Sequence, residues 1–254
     1  MRRLLTERAV RPELMDDASA GGPELSAALR QLRVLNRIFH ASGPTVYGVE
    51  RLWRAAGRPR SLRMLDVGCG SGDVNRALLR WADKHGVDMA IRLIDQSAEA
   101  CAEAEAMHRD EPRIVVARED LFGPPVGKEV GPSVEEEERV DIVTATQLLH
   151  HFEGERLTAA LQAMLRRARL GVVINDIHRH WLAWLAVWSV SRLLPGNRYI
   201  RHDGPLSVAK GFRSADWQAL AGRLPGQRLT YRWRPLFRYV ATVTPLGRGG
   251  GPNG

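Results

Sequence analysis

The chain has 254 residues, 44% of them apolar, which is enough for one α/β domain with a substantial core plus additions. Its two cysteines, Cys69 and Cys101, exclude a disulfide framework and fit a reducing, cytoplasmic interior. The net charge is +8, yet only Lys84, Lys128 and Lys210 among the 37 basic residues are lysines and no basic block occurs, so the charge reads as scattered arginine usage, not as a nucleic-acid arm. No apolar run reaches the roughly 18 residues of a membrane-spanning helix, and no apolar segment of signal length follows the basic start.

Residues 1–58 are expected to form an N-terminal helical extension or cap. Leu25, Leu29, Leu32, Leu35 and Ile38 recur at helical spacing, and a second helix is predicted from Tyr47 to Ala56, ended by Gly57 and Pro59. This pair either covers a ligand, with Asn36 and Arg37 as candidate contacts, or packs on a sheet edge.

The main domain is expected over 59–246. A short apolar run ending at Leu65 leads into Asp66-Val67-Gly68-Cys69-Gly70-Ser71-Gly72-Asp73, and apolar residues at helical spacing follow from Asn75. Alternate glycines at a strand-to-helix turn allow positive φ and leave helix-start N–H groups facing a ligand. The third glycine comes too early for a dinucleotide fingerprint, and no Gly-Lys-Ser/Thr follows, so a phosphate loop is excluded. A second strand ends at Asp95-Gln96, where a carboxylate can accept both hydroxyls of a ribose, and a third ends at Asp120-Leu121. Residues 122–139 combine turn formers with Glu135–Glu138 and read as a solvated loop. A fourth strand, Val140 to Thr146, runs into Gln147-Leu148-Leu149-His150-His151-Phe152.

The fifth strand, Leu170 to Ile177, leads to His178 and a helical insertion over about 178–210. Trp181, Trp184 and Trp188 share one face of its first helix, which is a core helix, a lid over an apolar acceptor, or a membrane-surface helix flanked by Arg179, Arg192, Arg198 and Arg201. Arg201 to Val208 reads as a turn-rich polar stretch. A helix capped by Ser214 and two strands around Pro235 close the domain, and the glycine-rich residues 247–254 read as a disordered tail.

An acidic residue, one apolar residue and Gly-x-Gly-x-Gly resemble the first motif of class I S-adenosylmethionine-dependent methyltransferases, and the later strand ends follow that family's order over about 60–243. The resemblance implies a Rossmann-like α/β fold: a seven-stranded, mostly parallel sheet with a closing antiparallel hairpin and helices on both faces. It implies S-adenosyl-L-methionine as cofactor. The methionine part would be held by Asp66 and the loop Gly68, Cys69, Gly70 and Gly72, the ribose by Asp95 and Gln96, and the adenine by Asp120 and Leu121, with Thr146 beside them.

Methyl transfer to a neutral hydroxyl wants a base at the sheet's carboxyl edge, where His150, His151, Asp176, His178, His202 and Asp203 are candidates. His151 comes first, because its segment is similar to that of small-molecule methyltransferases of the ubiquinone and menaquinone pathways. His178 and His150 follow. Those relatives carry Glu-His where this chain has His150-His151, so no metal ligand set is carried over. The expected acceptor is a small aromatic or apolar molecule such as a phenol, quinone precursor or polyketide-like natural product, with O-methylation favoured. The alternatives are a non-catalytic S-adenosylmethionine-binding protein and a nucleic-acid methyltransferase. Weak association with a membrane surface and an oligomeric state are both compatible with the sequence.

Overall fold

The structure, a computed structural model, describes residues 5–17, 19–123 and 139–246. The seven strands are β1 (Ser61–Val67), β2 (Asp88–Asp95), β3 (Ile114–Arg118), β4 (Val140–Thr146), β5 (Ala168–Ile177), β6 (Gln227–Arg234) and β7 (Arg238–Pro245). They form one sheet in the order β3-β2-β1-β4-β5-β7-β6. Neighbours from β3 to β5 are parallel, and β7 runs antiparallel to both β5 and β6, so one strand is reversed and the closing hairpin is present.

Period-two alternation sends successive side chains to opposite faces, and both faces are covered. Leu62 and Met64 of β1, Ile142 of β4, Val173 of β5 and Val240 of β7 pack with α2 (Ser42–Ala55) and α3 (Asn75–His85). Leu65, Val67, Val143, Ala145, Val172, Ile174 and Ala241 face the other way, against α5 (Gly154–Arg167) and α8 (Ser214–Gly222). The remaining helices are α1 (Gly22–Ile38), α4 (Ala98–His108), α6 (Trp181–Leu193) and α7 (Arg198–Lys210).

Local chemistry sets the helix ends. Pro23 and Glu24 open α1; Gly86, at φ 63°, closes α3; and the Ser97 hydroxyl caps α4 by accepting from the Ala100 N–H. Three expectations shift. The second helix begins at Ser42, five residues before Tyr47. Arg213 precedes the first residue of α8 and its N–H donates to Asp216, so Ser214 is the first helical residue and not the cap. The polar stretch Arg201–Val208 is helical, because Asn197 caps α7 by accepting from the Tyr199 and Ile200 N–H groups while Tyr199, Ile200 and Val208 are buried. Pro205 lies inside this helix. Most of the expected 122–139 loop and the 247–254 tail fall outside the described residues.

Helix α2 approaches the sheet closely at Gly48, where a Cβ would stand 2.4 Å from Val173 Cγ1 and 3.1 Å from Val240 Cγ2. Both neighbours are stiff β-branched side chains in strands. Gly48→Val is therefore expected to lower stability by about 1–3 kcal/mol through overpacking, despite its better helix propensity, measured as the shift in urea midpoint.

Candidate functional site

At the carboxyl ends of β1, β2, β3 and β4 lies a cavity of about 470 Å³, in the crevice where open α/β sheets bind ligands. Gly68, Gly70 and Gly72 have φ of 63°, 54° and 69°, a region open to glycine at little cost. They serve different ends. A Cβ on Gly68 would collide with Leu148 at 2.6 Å, and one on Gly72 with Leu93 at 2.8 Å and His108 at 3.0 Å. Gly70 has open space around its Cβ position and lines the cavity, as Gly68 and Cys69 do. Burial pushes the Cys69 thiol up, so it is a neutral wall element.

Asp95 stands at the end of β2 and accepts from the Gly70 and Ser97 N–H groups at 2.9 and 3.0 Å, one bond per oxygen. Each oxygen keeps a lone pair for a ligand hydroxyl. Burial raises its pKa. Gln96, Asp120, Leu121 and Thr146 also line the cavity, and the Thr146 hydroxyl is fixed 2.9 Å from that of Thr45 in α2.

Two sequence-derived cofactor residues are not in this wall. Asp66 points between β1 and α3, where its carboxylate accepts from Asn75 Nδ2 at 2.7 Å and from the Thr144 hydroxyl at 2.6 Å. Gly72 acts through packing, with its carbonyl 3.0 Å from His108 Nε2.

The N-terminal segment and α1 close the cavity. Leu25, Leu29, Leu32 and Asn36 of α1 are in the wall, while α2 packs on the sheet. Asn36 Nδ2 donates to Asp73, and Gln147 Nε2 donates to Asn36 Oδ1 at 2.7 Å, linking the glycine loop to the residue after β4. Arg8 donates to the carbonyls of Lys210, His150 and Phe152, which seats residues 5–17 over the far end. There Asp203 accepts from the Leu14 and Met15 N–H groups, and Glu13 and Asp16 enter the wall. These contacts join segments far apart in sequence and left no motif.

At that far end the two histidines after β4 separate. His150 is buried, its ring Nδ1 lies 2.8 Å from Asp176 Oδ1, and its backbone N–H donates to Asp176 Oδ2. Although burial works against the charge, His150 and the Ile177 N–H hold the Asp176 carboxyl below its ordinary value. An ionised carboxylate can only accept, so Nδ1 donates to Asp176 and Nε2 is the ring nitrogen turned away from it. Nε2 is buried without a hydrogen-bond partner among the described residues, and so is Glu13 Oε1, 3.7 Å away. His151 pairs with Asp16, and despite burial that bond holds its pKa above the ordinary value.

His178 is not in this wall. It accepts from Trp233 Nε1 at 3.2 Å and packs on His180 and Tyr239, and burial beside His180 pushes its pKa down to about 4. His202 is exposed and bonded to Asp203.

Glu13, His150 and His151 offer ligand atoms within 4.8 Å of one another, a donor set that divalent cations accept. Lys210 Nζ stands 3.5 Å from Glu13 Oε1 and 3.6 Å from Asp16 Oδ2, so an ammonium already supplies the positive charge at this point.

Residues 65–174 match the sequence model of the methyltransferase domain family. This segment is similar in sequence to a methyltransferase domain. No curated protein matches it by sequence. Among solved structures, the plantazolicin methyltransferase in complex with SAH is 12% identical with a TM-score of 0.61, covering 90% of this chain and 91% of that one. A SAM-dependent methyltransferase from Aquifex aeolicus is 13% identical with a TM-score of 0.56, covering 87% and 98%. The methyltransferase domain of the citrinin polyketide synthase is 14% identical with a TM-score of 0.52; 72% of this chain is covered, but the match spans 46% of that structure's length. At these identities the likeness establishes the methyltransferase fold. The family match begins at the last three residues of β1 and ends within β5, so it takes in the glycine loop, His150 and His151 but neither the N-terminal segment with α1 nor α6 and α7.

Burial pushes Asp66 from its ordinary 3.8 up to about 6. Between those values the folded domain holds a proton that the unfolded chain has released, so stability falls as pH rises through this window, by at most about 3 kcal/mol. Asp66→Asn is expected to lack that fall, measured as urea midpoints from pH 4 to pH 7.

Proposed function

We propose that the protein transfers a methyl group from S-adenosyl-L-methionine to a hydroxyl of a small aromatic or apolar acceptor. The observation that carries this reading is that one cavity joins the glycine loop and its acids to the unpartnered Nε2 of His150. The cofactor supplies a methyl sulfonium, a cationic electrophile. The wall suits a cation: seven acids line it, Glu13, Asp16, Asp73, Asp95, Glu119, Asp120 and Asp203, against one arginine, Arg156. Of these, Glu119 is neutralised by Arg92 and Arg167. So acidic a wall inside a basic protein is a poor seat for nucleic-acid phosphates.

The Gly68, Cys69 and Gly70 backbone would hold the methionine part, Asp95 and Gln96 the ribose, and Asp120 and Leu121 the adenine, with Thr146 and Gln147 at the inner edge. Asp73, in the wall and bonded to Asn36, replaces Asp66 as the carboxylate nearest in sequence to the loop for the amino group. In the acceptor half, His150 takes the hydroxyl proton at Nε2, and Asp176 orients the ring and stabilises the imidazolium. Apolar residues of α1, with Phe152, exclude water from the reacting groups. Small-molecule acceptors are supported by the plantazolicin and citrinin neighbours, whose names are those of natural-product enzymes.

Two variants separate the halves of the site. Asp95→Ala is expected to weaken S-adenosylmethionine binding at least 10-fold in titration calorimetry. His150→Gln is expected to leave that affinity within about 2-fold and to lower kcat about 10²- to 10⁴-fold on a phenolic acceptor, the range of a lost general base. An unchanged kcat would remove His150 from the chemistry. Chelation with EDTA is expected to leave the rate unchanged, because Lys210 occupies the place of a cation.

A further inference from the structure

Helix α6 is neither core nor lid. Of its 13 residues, Ala183 and Ser191 alone are buried, and none lines the cavity. Trp181, Leu182, Leu185 and Trp188 lie along one side of it and are all more than one third exposed, and Leu193 at its end is 85% exposed. The patch continues across the sheet edge. His180 stacks on both Trp181 and Phe237, and Leu236 and Trp233 beside that turn are exposed. A contiguous apolar surface of this kind marks an interaction site.

Charge selects the partner. No aspartate or glutamate occurs from Ile177 to His202, and none occurs after Asp216. Arg192 closes α6 with its guanidinium 3.8 Å above the Trp188 ring; Arg201 is exposed at the start of α7; and Arg213 stands by His178. Arg179, expected to flank a docking helix, is instead buried against Asp216 and takes no part. A second copy of this surface would bring arginine against arginine with no carboxylate between them. Tryptophan and leucine on one side, an arginine rim and too few residues to span a bilayer are the features of a helix that lies in a lipid interface.

We propose that α6 and the β6–β7 turn seat the protein on an anionic lipid surface, with the helix axis in the membrane plane. Helix α6 packs on α7, whose Ile200, Gly204 and Ser207 line the cavity, so the seated face lies one helix away from the site. A lipid-dissolved acceptor would then have a short route in.

The test uses the full chain in flotation with vesicles of phosphatidylglycerol and phosphatidylcholine, with vesicles of phosphatidylcholine alone as control. The expected result is flotation with the anionic vesicles, a blue shift of tryptophan emission, and at least a 10-fold loss in 0.5 M salt and in the Leu185→Glu/Trp188→Glu variant. Arg192→Glu/Arg201→Glu, which leaves the apolar face intact, should lose most of the binding while retaining the wild-type Tm. No flotation, equal flotation with neutral vesicles, or a dimer in sedimentation that the Leu185→Glu/Trp188→Glu variant dissolves would each overturn the proposal. The readout needs no cofactor, so its failure is distinct from failure of the methyltransferase reading.

Discussion

The carboxylate of Asp176, fully buried at the end of β5, is the charge around which the far end of the cavity is arranged. An isolated buried carboxylate is costly, and its cost is offset only by hydrogen bonds and opposite charge at close range. Here the ring and backbone N–H of His150 and the N–H of Ile177 supply the bonds. Arg238, itself so deeply buried that its pKa is lowered to about 10, and Arg8 supply the charge. Meeting that demand pulls the turn after β4 against the end of β5. It also explains why a residue as distant as Arg8 is at the site: its guanidinium balances Asp176 while bonding the carbonyls of His150 and Phe152, and the segment behind it brings Glu13 and Asp16 into the wall.

What was legible in the sequence is what depends on neighbours along the chain. The strands showed in their apolar runs, and the glycine turn showed because positive φ at three alternate positions leaves little choice of residue. Asp95 and Asp120 were readable as cavity residues because a strand end in a parallel sheet points at the crevice. Asp66 stays out of the cavity wall for the converse reason. It lies within β1, and alternation turns its side chain toward α3 and not toward the turn that follows.

The rest was hidden by tertiary competition. Arg201–Val208 holds a histidine, an aspartate, a glycine and a proline, which local preference reads as turn; the Asn197 cap and the burial of Tyr199, Ile200 and Val208 override it. His150 and His151 are adjacent and chemically identical in sequence. A single turn of 3-10 helix over Leu149–His151 sends one ring inward to Asp176 and the other toward Asp16, and no periodicity could have said which. The tryptophans of α6 are at core spacing, but a helix whose partner on one side is absent among the described residues has the same spacing.

The charge of the molecule is partitioned, and the partition bears on how the site binds. The outside is basic while the cavity wall is acidic, and burial raises the pKa of Asp73, Asp95 and Asp203 there. Raised carboxyl values mean that ionising these groups costs free energy in the folded protein. A cationic ligand among them returns that free energy by favouring the charged forms, so binding and carboxylate ionisation are coupled and each strengthens the other. A neutral or anionic ligand of the same shape gains none of this. Under the proposed function the wall would favour a sulfonium over its neutral thioether product, and two of its acids, Asp95 and Asp203, are positioned by backbone N–H donors at Gly70, Ser97, Leu14 and Met15 and not by the ligand.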